Sequence, residues 1–132
     1  MKKLLILGGS GFIGSSIVDY GINKNLIKNK INKIYILSRS AKFSLNKKKH
    51  ISITFINKNI LDVNKLPQVD YIIYCLKNNN IENSNNYFNQ FLKLLKKLKN
   101  KPKILFTSSG AVYGKNINKK KDVESQKIDN YL

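Results

Sequence analysis

Five short apolar segments recur along the chain, separated by longer segments of mixed polarity. Each is four to eight residues long and rich in Ile, Leu, Val or aromatic residues, as is typical of strands in a parallel sheet. We predict strands over residues 4–7, 33–37, 51–56, 69–76 and 103–107.

Two of the intervening segments carry apolar residues at helical spacing, which predicts amphipathic helices. The first covers residues 11–22, and its stripe consists of Phe12, Ile13, Ile17, Val18 and Ile22. The second covers residues 84–98 and ends before Asn100 and Pro102. We expect a loop or short helix over residues 41–50, a turn and short helix over 59–67, and a solvated loop in the asparagine-rich residues 77–86.

Strands that alternate with helices predict an α/β fold with a doubly wound parallel sheet. Right-handed crossovers then give the strand order 3-2-1-4-5. We interpret residues 1–132 as one domain, because this length suits a single core. Ligands bind such sheets at the carboxyl ends of the strands, near the point where the strand order reverses.

Three glycines spaced three apart follow the first strand directly: Gly8, Gly11 and Gly14. Gly8 suits a tight turn, Gly11 suits a close approach of the backbone to a pyrophosphate, and Gly14 suits close packing of the next helix. The free N–H groups of that helix would face the pyrophosphate. A purely structural turn is the alternative. The position between a strand and a helix favours a dinucleotide loop.

The net charge of +18 raises the question of nucleic-acid binding. Of the 25 basic residues only Arg39 is an arginine, and the lysines are spread over the whole chain. Phosphate and base recognition favours the bidentate arginine side chain. We therefore expect no specific nucleic-acid partner and interpret the lysines as a solvated surface.

The only cysteine is Cys75, so an internal disulfide is excluded and a reducing compartment is favoured. The apolar run that follows Met1 is too short for a signal peptide, and no stretch has transmembrane length. These features predict a cytoplasmic protein without a membrane partner. We also predict no metal site.

Two blocks resemble the extended short-chain dehydrogenase/reductase family of NAD(P)-dependent epimerases and dehydratases. They are the glycine segment 8–14 and the Thr-Ser-Ser-Gly-Ala-Val-Tyr-Gly segment 107–114. The resemblance implies a Rossmann fold and covers only the N-terminal, cofactor-binding half of the usual protein, without a substrate domain. It implies a catalytic hydroxyl at Ser109. The cofactor-binding residues that it implies are Gly8, Ser10, Gly11, Phe12, Ile13, Ser38, Arg39, Asn59, Ile60, Cys75, Leu76 and Thr107.

The end of the second strand indicates the cofactor. Enzymes that use NAD place an acidic residue there for the ribose 2′-hydroxyl, whereas a 2′-phosphate favours arginine. The chain has Ser38 at the acidic position and Arg39 beside it. NADP is therefore favoured over NAD.

The chain departs from the family pattern at several positions. Asn59 replaces an aspartate that contacts the adenine amino group. The amide oxygen of Asn59 can still accept a hydrogen bond from that group. Leu76 and Lys77 are bulkier than the usual small pair. Gly110 and Ala111 replace the Asp-Glu pair of sugar dehydratases, which leaves epimerase or 4-ketoreductase chemistry on a nucleotide sugar.

Family members also need a Tyr-x-x-x-Lys pair, whose lysine lowers the tyrosine pKa for acid/base catalysis. Tyr131 is one candidate, but its lysine partner would fall at position 135, beyond Leu132. We therefore expect a truncated product without turnover. A non-enzymatic NAD(P)-binding or redox-sensing module is the alternative. The expected partners are a dinucleotide and, in full-length relatives, a nucleotide sugar; a homodimer is left open.

Overall fold

The computed structural model of the protein describes residues 2–23, 31–40 and 52–107. Within them the chain forms a five-stranded sheet in which all strands run parallel, in the order β3-β2-β1-β4-β5. The strands are β1 (Lys2–Leu7), β2 (Ile31–Ser38), β3 (Ser52–Asn57), β4 (Tyr71–Tyr74) and β5 (Lys103–Phe106). The predicted fold class and strand order are confirmed.

Helices cover both faces of this sheet. They are α1 (Phe12–Asn23), α2 (Ile81–Leu95) and a 3-10 helix (Ile60–Asp62) in the segment after β3, where a short helix was expected. The expectation for residues 41–50 lies outside the described residues. In the described part of the chain, no helix combines the length and apolar character that a membrane span requires.

Alternate residues of β1 belong to two separate cores. Leu5 and Leu7 pack into the larger core with α2 and the 3-10 helix, whereas Leu4 and Ile6 pack into the core that contains Val18 of α1. All four β1 side chains are buried. Burial on both faces explains why β1 is continuously apolar rather than alternating.

The predicted apolar stripe of α1 is only partly confirmed. Val18 is buried and Ile17 is half-buried, but Phe12 is 90% exposed and Ile13 is 50% exposed. The expectation that these two residues pack on the sheet was wrong. They form the first turn of α1, which follows the carboxyl end of β1. The side chain of Ile22 lies outside the described residues.

The asparagine-rich segment before α2 is a capping structure. Asn80 is the N-cap of α2, and its side chain accepts the Asn83 N–H at 3.2 Å. Asn78 Oδ1 in turn accepts the Asn80 N–H at 3.0 Å. The helix therefore begins at Ile81, earlier than the predicted Ser84, and the expectation of a plain solvated loop was wrong. Asparagine favours helix starts because its side chain bonds free backbone N–H groups.

At the amino edge of the sheet, Asp70 joins three strands. Its carboxylate accepts the Lys3 N–H at 2.8 Å and pairs with Lys2 Nζ at 3.1 Å. Its backbone N–H donates to Lys3 O at 2.9 Å, and its carbonyl accepts the Lys103 N–H at 2.9 Å. Asp70 therefore fixes the start of β4 relative to β1 and β5.

Candidate functional site

The turn after β1 requires glycine at position 8. Gly8 has φ +83°, a conformation that side chains disfavour, and a Cβ there would lie 2.9 Å from Cys75 O. The Gly8 N–H donates to Leu37 O at 2.9 Å. The predicted tight turn is therefore confirmed, and it is held between the ends of β2 and β4.

Gly14 and Gly9 allow two further close approaches. A Cβ at Gly14 would lie 2.4 Å from Gly8 O and 2.7 Å from Gly9 Cα, so α1 packs directly on the backbone of the turn. A Cβ at Gly9 would lie 2.4 Å from Ile36 Cγ2 of β2. Sequence reasoning assigned a role to Gly14 but missed Gly9, because the contact with Ile36 depends on strand pairing across 27 positions.

The first turn of α1 offers donors to an anion. The Ser15 N–H donates to Gly11 O at 2.9 Å, so the first α-helical hydrogen bond starts from Gly11. The N–H groups of Phe12 and Ile13 make no backbone hydrogen bond within the described residues. Gly11 is exposed and adds no side chain in front of them. Such an end favours phosphate through both free donors and the helix dipole.

The glycine turn is joined to the end of β2 by two serines. Ser10 Oγ and Ser38 Oγ form a short hydrogen bond. Ser38 Oγ also donates to Ser40 O at 3.2 Å and accepts the Ser40 N–H at 3.3 Å. Since a hydroxyl has one proton, Ser38 can donate either to Ser10 or to Ser40 O at a given time. Ser38 is only 6% exposed, and these hydrogen bonds to protein groups already occupy its hydroxyl.

These elements surround one cleft at the carboxyl edge of the sheet. Its volume of about 150 Å³ is below the ~300 Å³ at which ligand pockets usually start, so the described residues fit one portion of a dinucleotide. Arg39, Lys58 and Lys77 line it, and none of the described lining residues is acidic. The lining residues are Gly8, Ser10, Gly11, Leu37, Ser38, Arg39, Ser40, Lys58, Asn59, Ile60, Leu76, Lys77 and Tyr87.

Asn59 lies at the start of the 3-10 helix and caps it. Its Oδ1 accepts the Leu61 N–H at 3.1 Å. One lone pair of the amide oxygen and the whole amide NH₂ group are left for a ligand. The predicted contact to adenine stays a prediction, and this cap fixes the side chain that would make it.

The cleft brings together most, but not all, of the predicted cofactor residues. Eight of them line it: Gly8, Ser10, Gly11, Ser38, Arg39, Asn59, Ile60 and Leu76. Phe12, Ile13, Cys75 and Thr107 do not. The predicted catalytic Ser109 and the candidate Tyr131 lie outside the described residues.

Sequence reasoning missed two residues that line the cleft, Lys58 and Tyr87. The position of Lys58 directly after a strand was a usable signal, whereas Tyr87 resembled any other apolar position of α2.

Cys75 and Thr107 follow adjacent strands, and the backbone of Cys75 lies against the glycine turn. Burial raises the pKa of the half-buried Cys75 thiol, and a hydrogen bond with Thr107 opposes this shift. Thr107 Oγ1 also donates to Tyr74 O at 3.0 Å. The raised pKa disfavours the thiolate, which is the nucleophilic form of cysteine.

A Tyr-x-x-x-Lys spacing does occur in the chain, at Tyr20 and Lys24. Tyr20 lies on α1 eight residues after Phe12, or about 12 Å along the helix axis at 1.5 Å per residue. It is 60% exposed and does not line the cleft. Lys24 lies outside the described residues. Tyr20 therefore lies away from the cleft.

The parallel sheet, the glycine turn and the cleft at the carboxyl edge define a Rossmann-type domain. The model of the NAD-dependent epimerase/dehydratase family matches residues 4–131, and the chain belongs to that family. No curated protein sequence matches the chain.

Solved structures with the same fold include three sugar enzymes. Glucuronic acid dehydrogenase from Chromohalobacter salexigens superimposes with a TM-score of 0.57 at 20% identity, over 86% of this chain and 43% of that one. UDP-N-acetylglucosamine 4-epimerase from Bacillus cereus gives 0.56 at 17% identity, over 88% and 40%. Uronate dehydrogenase from Agrobacterium tumefaciens gives 0.58 at 14% identity, over 86% and 43%. The chain thus spans less than half the length of each structure.

The described residues fit the dinucleotide that the family name implies. A Cβ at Gly11 would have one close neighbour, Gly8 O at 3.3 Å, so the space in front of the α1 N-terminus is open. Free N–H groups there suit a pyrophosphate, and the cationic cleft wall suits further phosphate charge. When bound, the cofactor would supply hydride transfer, and this chain would hold and orient it.

Proposed function

We propose that the chain is the cofactor-binding part of an NAD(P)-dependent sugar oxidoreductase. The observation that carries the proposal is the glycine turn: Gly8 at φ +83° lies against Cys75 and supports an α1 N-terminus with free N–H groups. The glycine turn borders a cleft that is lined by cationic side chains, and none of the described lining residues is acidic. The family supports hydride chemistry on a sugar carbon as the activity of the whole protein.

The proposed cofactor is NADP in preference to NAD. Two features support it. The residue at the end of β2 is Ser38, so this position offers no carboxylate to a ribose 2′-hydroxyl. The Ser38 hydroxyl is itself occupied by hydrogen bonds with Ser10 and Ser40. Arg39 follows it, and Lys58 lines the cleft from the next strand. Two cations at neighbouring strand ends would stabilise a 2′-phosphate, whereas an acidic residue would repel it.

Titration with NADPH and NADH, followed by cofactor fluorescence, tests both statements. We expect saturable binding of NADPH and a weaker Kd for NADH. Equal affinities would contradict the NADP preference alone. Absence of binding for both, up to millimolar concentration, would contradict the proposed function.

The proposed substrate class is a nucleotide sugar, oxidised or reduced at a ring carbon by epimerase or 4-ketoreductase chemistry. We expect no turnover from residues 1–132 alone. Acid/base catalysis needs an activated tyrosine at the cofactor, and Tyr20 with its Lys24 spacing lies away from the cleft. An assay of NADPH oxidation and NADP reduction with UDP-N-acetylglucosamine and with glucuronate tests this. Turnover with either sugar would overturn the expectation, and turnover with glucuronate alone would replace the substrate class.

A further inference from the structure

Tyr87 of α2 lines the cleft and carries a phenol hydroxyl. Its side chain is only 6% exposed and belongs to the larger core, yet it lines the cleft together with Leu76 and Lys77. A buried hydroxyl without an acceptor is costly, so the hydrogen bonds of Tyr87 indicate what the cleft can hold.

The direction of the hydrogen bond between Asn78 and Tyr87 is fixed by the cap of α2. Asn78 Oδ1 accepts the Asn80 N–H at 3.0 Å, which places the amide oxygen on that side. Asn78 Nδ2 therefore faces Tyr87 and donates to Tyr87 Oη at 3.3 Å. Tyr87 is the acceptor in this bond, and its own O–H proton needs a different partner.

None of the described residues accepts that proton. Tyr87 lines the cleft, so a ligand bound there can supply the acceptor, and Lys77 contributes positive charge to the same cleft. The glycine turn lies next to Lys77, because Gly8 packs against the backbone of the preceding residue, Leu76. A Cβ on Gly8 would be 3.2 Å from Leu76 N. A donor hydroxyl beside a cation and the glycine turn matches a phosphate oxygen, the strongest acceptor of a dinucleotide.

We propose that the Tyr87 hydroxyl donates a hydrogen bond to a phosphate oxygen of the bound dinucleotide, and that Asn78 is the positioning residue that orients it. This inference rests on the proposed dinucleotide function. The asparagine-rich segment before α2 then has a role in binding as well as in capping, because the same amide that supports the cap directs the Tyr87 proton into the cleft.

The first test compares Tyr87→Phe with Tyr74→Phe by NADPH titration and thermal unfolding. Tyr74 is the matched control, since it is buried in the same core but does not line the cleft. We expect Tyr87→Phe to weaken the Kd about tenfold, the usual effect of one hydrogen bond to a charged acceptor. Tyr74→Phe should leave the Kd unchanged. If the wild type binds NADPH and Tyr87→Phe binds equally well, the inference fails while the proposed function stands.

ADP as a second ligand locates the contact. ADP carries a pyrophosphate without the nicotinamide half, so Tyr87→Phe should weaken ADP and NADPH to a similar extent. A loss seen with NADPH alone would overturn the phosphate assignment. If the wild type binds neither ligand, the proposed function itself fails, and this inference fails with it.

Asn78→Asp tests the orientation of the Tyr87 proton. The carboxylate can still accept the Asn80 N–H, but it would also accept the Tyr87 O–H and remove that donor from the cleft. We expect weaker NADPH binding, with a smaller additional loss when the substitution is made in Tyr87→Phe. An equal loss in both backgrounds would mean that the effect does not pass through Tyr87, and the positioning role would be overturned.

Discussion

Ser10 and Ser38 lie 28 positions apart, share one hydrogen bond between their hydroxyls, and both line the cleft. The bond joins the glycine turn after β1 to the last residue of β2. It therefore couples the backbone that would hold a pyrophosphate to the position that distinguishes NAD from NADP in Rossmann domains.

Ser38→Asp should shift the cofactor preference towards NADH. A carboxylate at this position can accept the ribose 2′-hydroxyl of NADH and repels a 2′-phosphate. We expect the ratio of NADPH to NADH affinity to fall about tenfold, since short-range repulsion in a partly solvated site amounts to ~1–2 kcal/mol. Ser10→Ala is the control: it removes the same hydrogen bond without adding charge, so both affinities should change in parallel. An unchanged ratio in Ser38→Asp would contradict the assignment.

Gly14→Ala should destabilise the fold and weaken dinucleotide binding together. The new Cβ would lie 2.4 Å from Gly8 O, so α1 or the turn must move. We expect a loss of about 1–3 kcal/mol in the free energy of unfolding, as for other overpacked sites. Urea denaturation and NADPH titration measure the two effects.

Gly11→Ala is the counterpart to Gly14→Ala. Its Cβ would meet only Gly8 O at 3.3 Å, so stability should change little. Affinity for NADPH should still fall, because the methyl group would stand in front of the free N–H groups of α1. Equal destabilisation by the two substitutions would show that the close approach at Gly14 does not cause the loss of stability.

Asp70 should make stability depend on pH in the acid range. The hydrogen bond from the Lys3 N–H, followed by that from the Lys2 side chain, lowers the pKa of Asp70 below its ordinary value of 3.8. Its contribution is therefore present above about pH 4 and is lost as the pH falls through the lowered pKa. Asp70→Asn should lower the unfolding midpoint at pH 7, and its difference from the wild type should shrink below about pH 4.

Asp19→Asn serves as the charge-matched control for Asp70→Asn. Asp19 is exposed on α1 and makes no ion pair among the described residues. This substitution should leave the unfolding midpoint nearly unchanged at both pH values. A difference between Asp70→Asn and the wild type that persists at pH 2 to 3 would mean that the carboxylate charge is not the cause.

Cys75 should react slowly with alkylating reagents in the folded protein. Burial raises the pKa of its thiol, more than the Thr107 hydrogen bond lowers it, so little thiolate is present near neutral pH. We expect alkylation of Cys75 by iodoacetamide at pH 8 to be at least about tenfold slower than alkylation of free cysteine. In urea, which unfolds the protein, the rate should rise to that of free cysteine. Fast modification in the absence of denaturant would contradict this assignment.

The sequence predicted the sheet well because its strands are buried. A strand covered on both faces must be apolar throughout, as Leu4 to Leu7 are, and alternation with helices then leaves few orders for a parallel sheet. The glycine turn was equally predictable, since its spacing and its place between strand and helix are local in sequence. Phe12 and Ile13 were misplaced because periodicity identifies a helix face but not where the sheet beneath it ends.

The cleft was predicted less completely because its walls meet only in three dimensions. Lys58 and Tyr87 are 29 positions apart and line the same cavity. The asparagines before α2 were interpreted from their composition, which suggests solvation. Their individual spacing, with Asn80 three residues before Asn83, would have indicated a cap.

The contact between Gly9 and Ile36 has an evolutionary consequence. A methyl group of Ile36 occupies the place where a side chain on residue 9 would stand. In other members of the family, a larger residue at the position of Gly9 should be accompanied by a smaller one at that of Ile36. The two sites should therefore covary, and replacing one alone should require a compensatory change in the other.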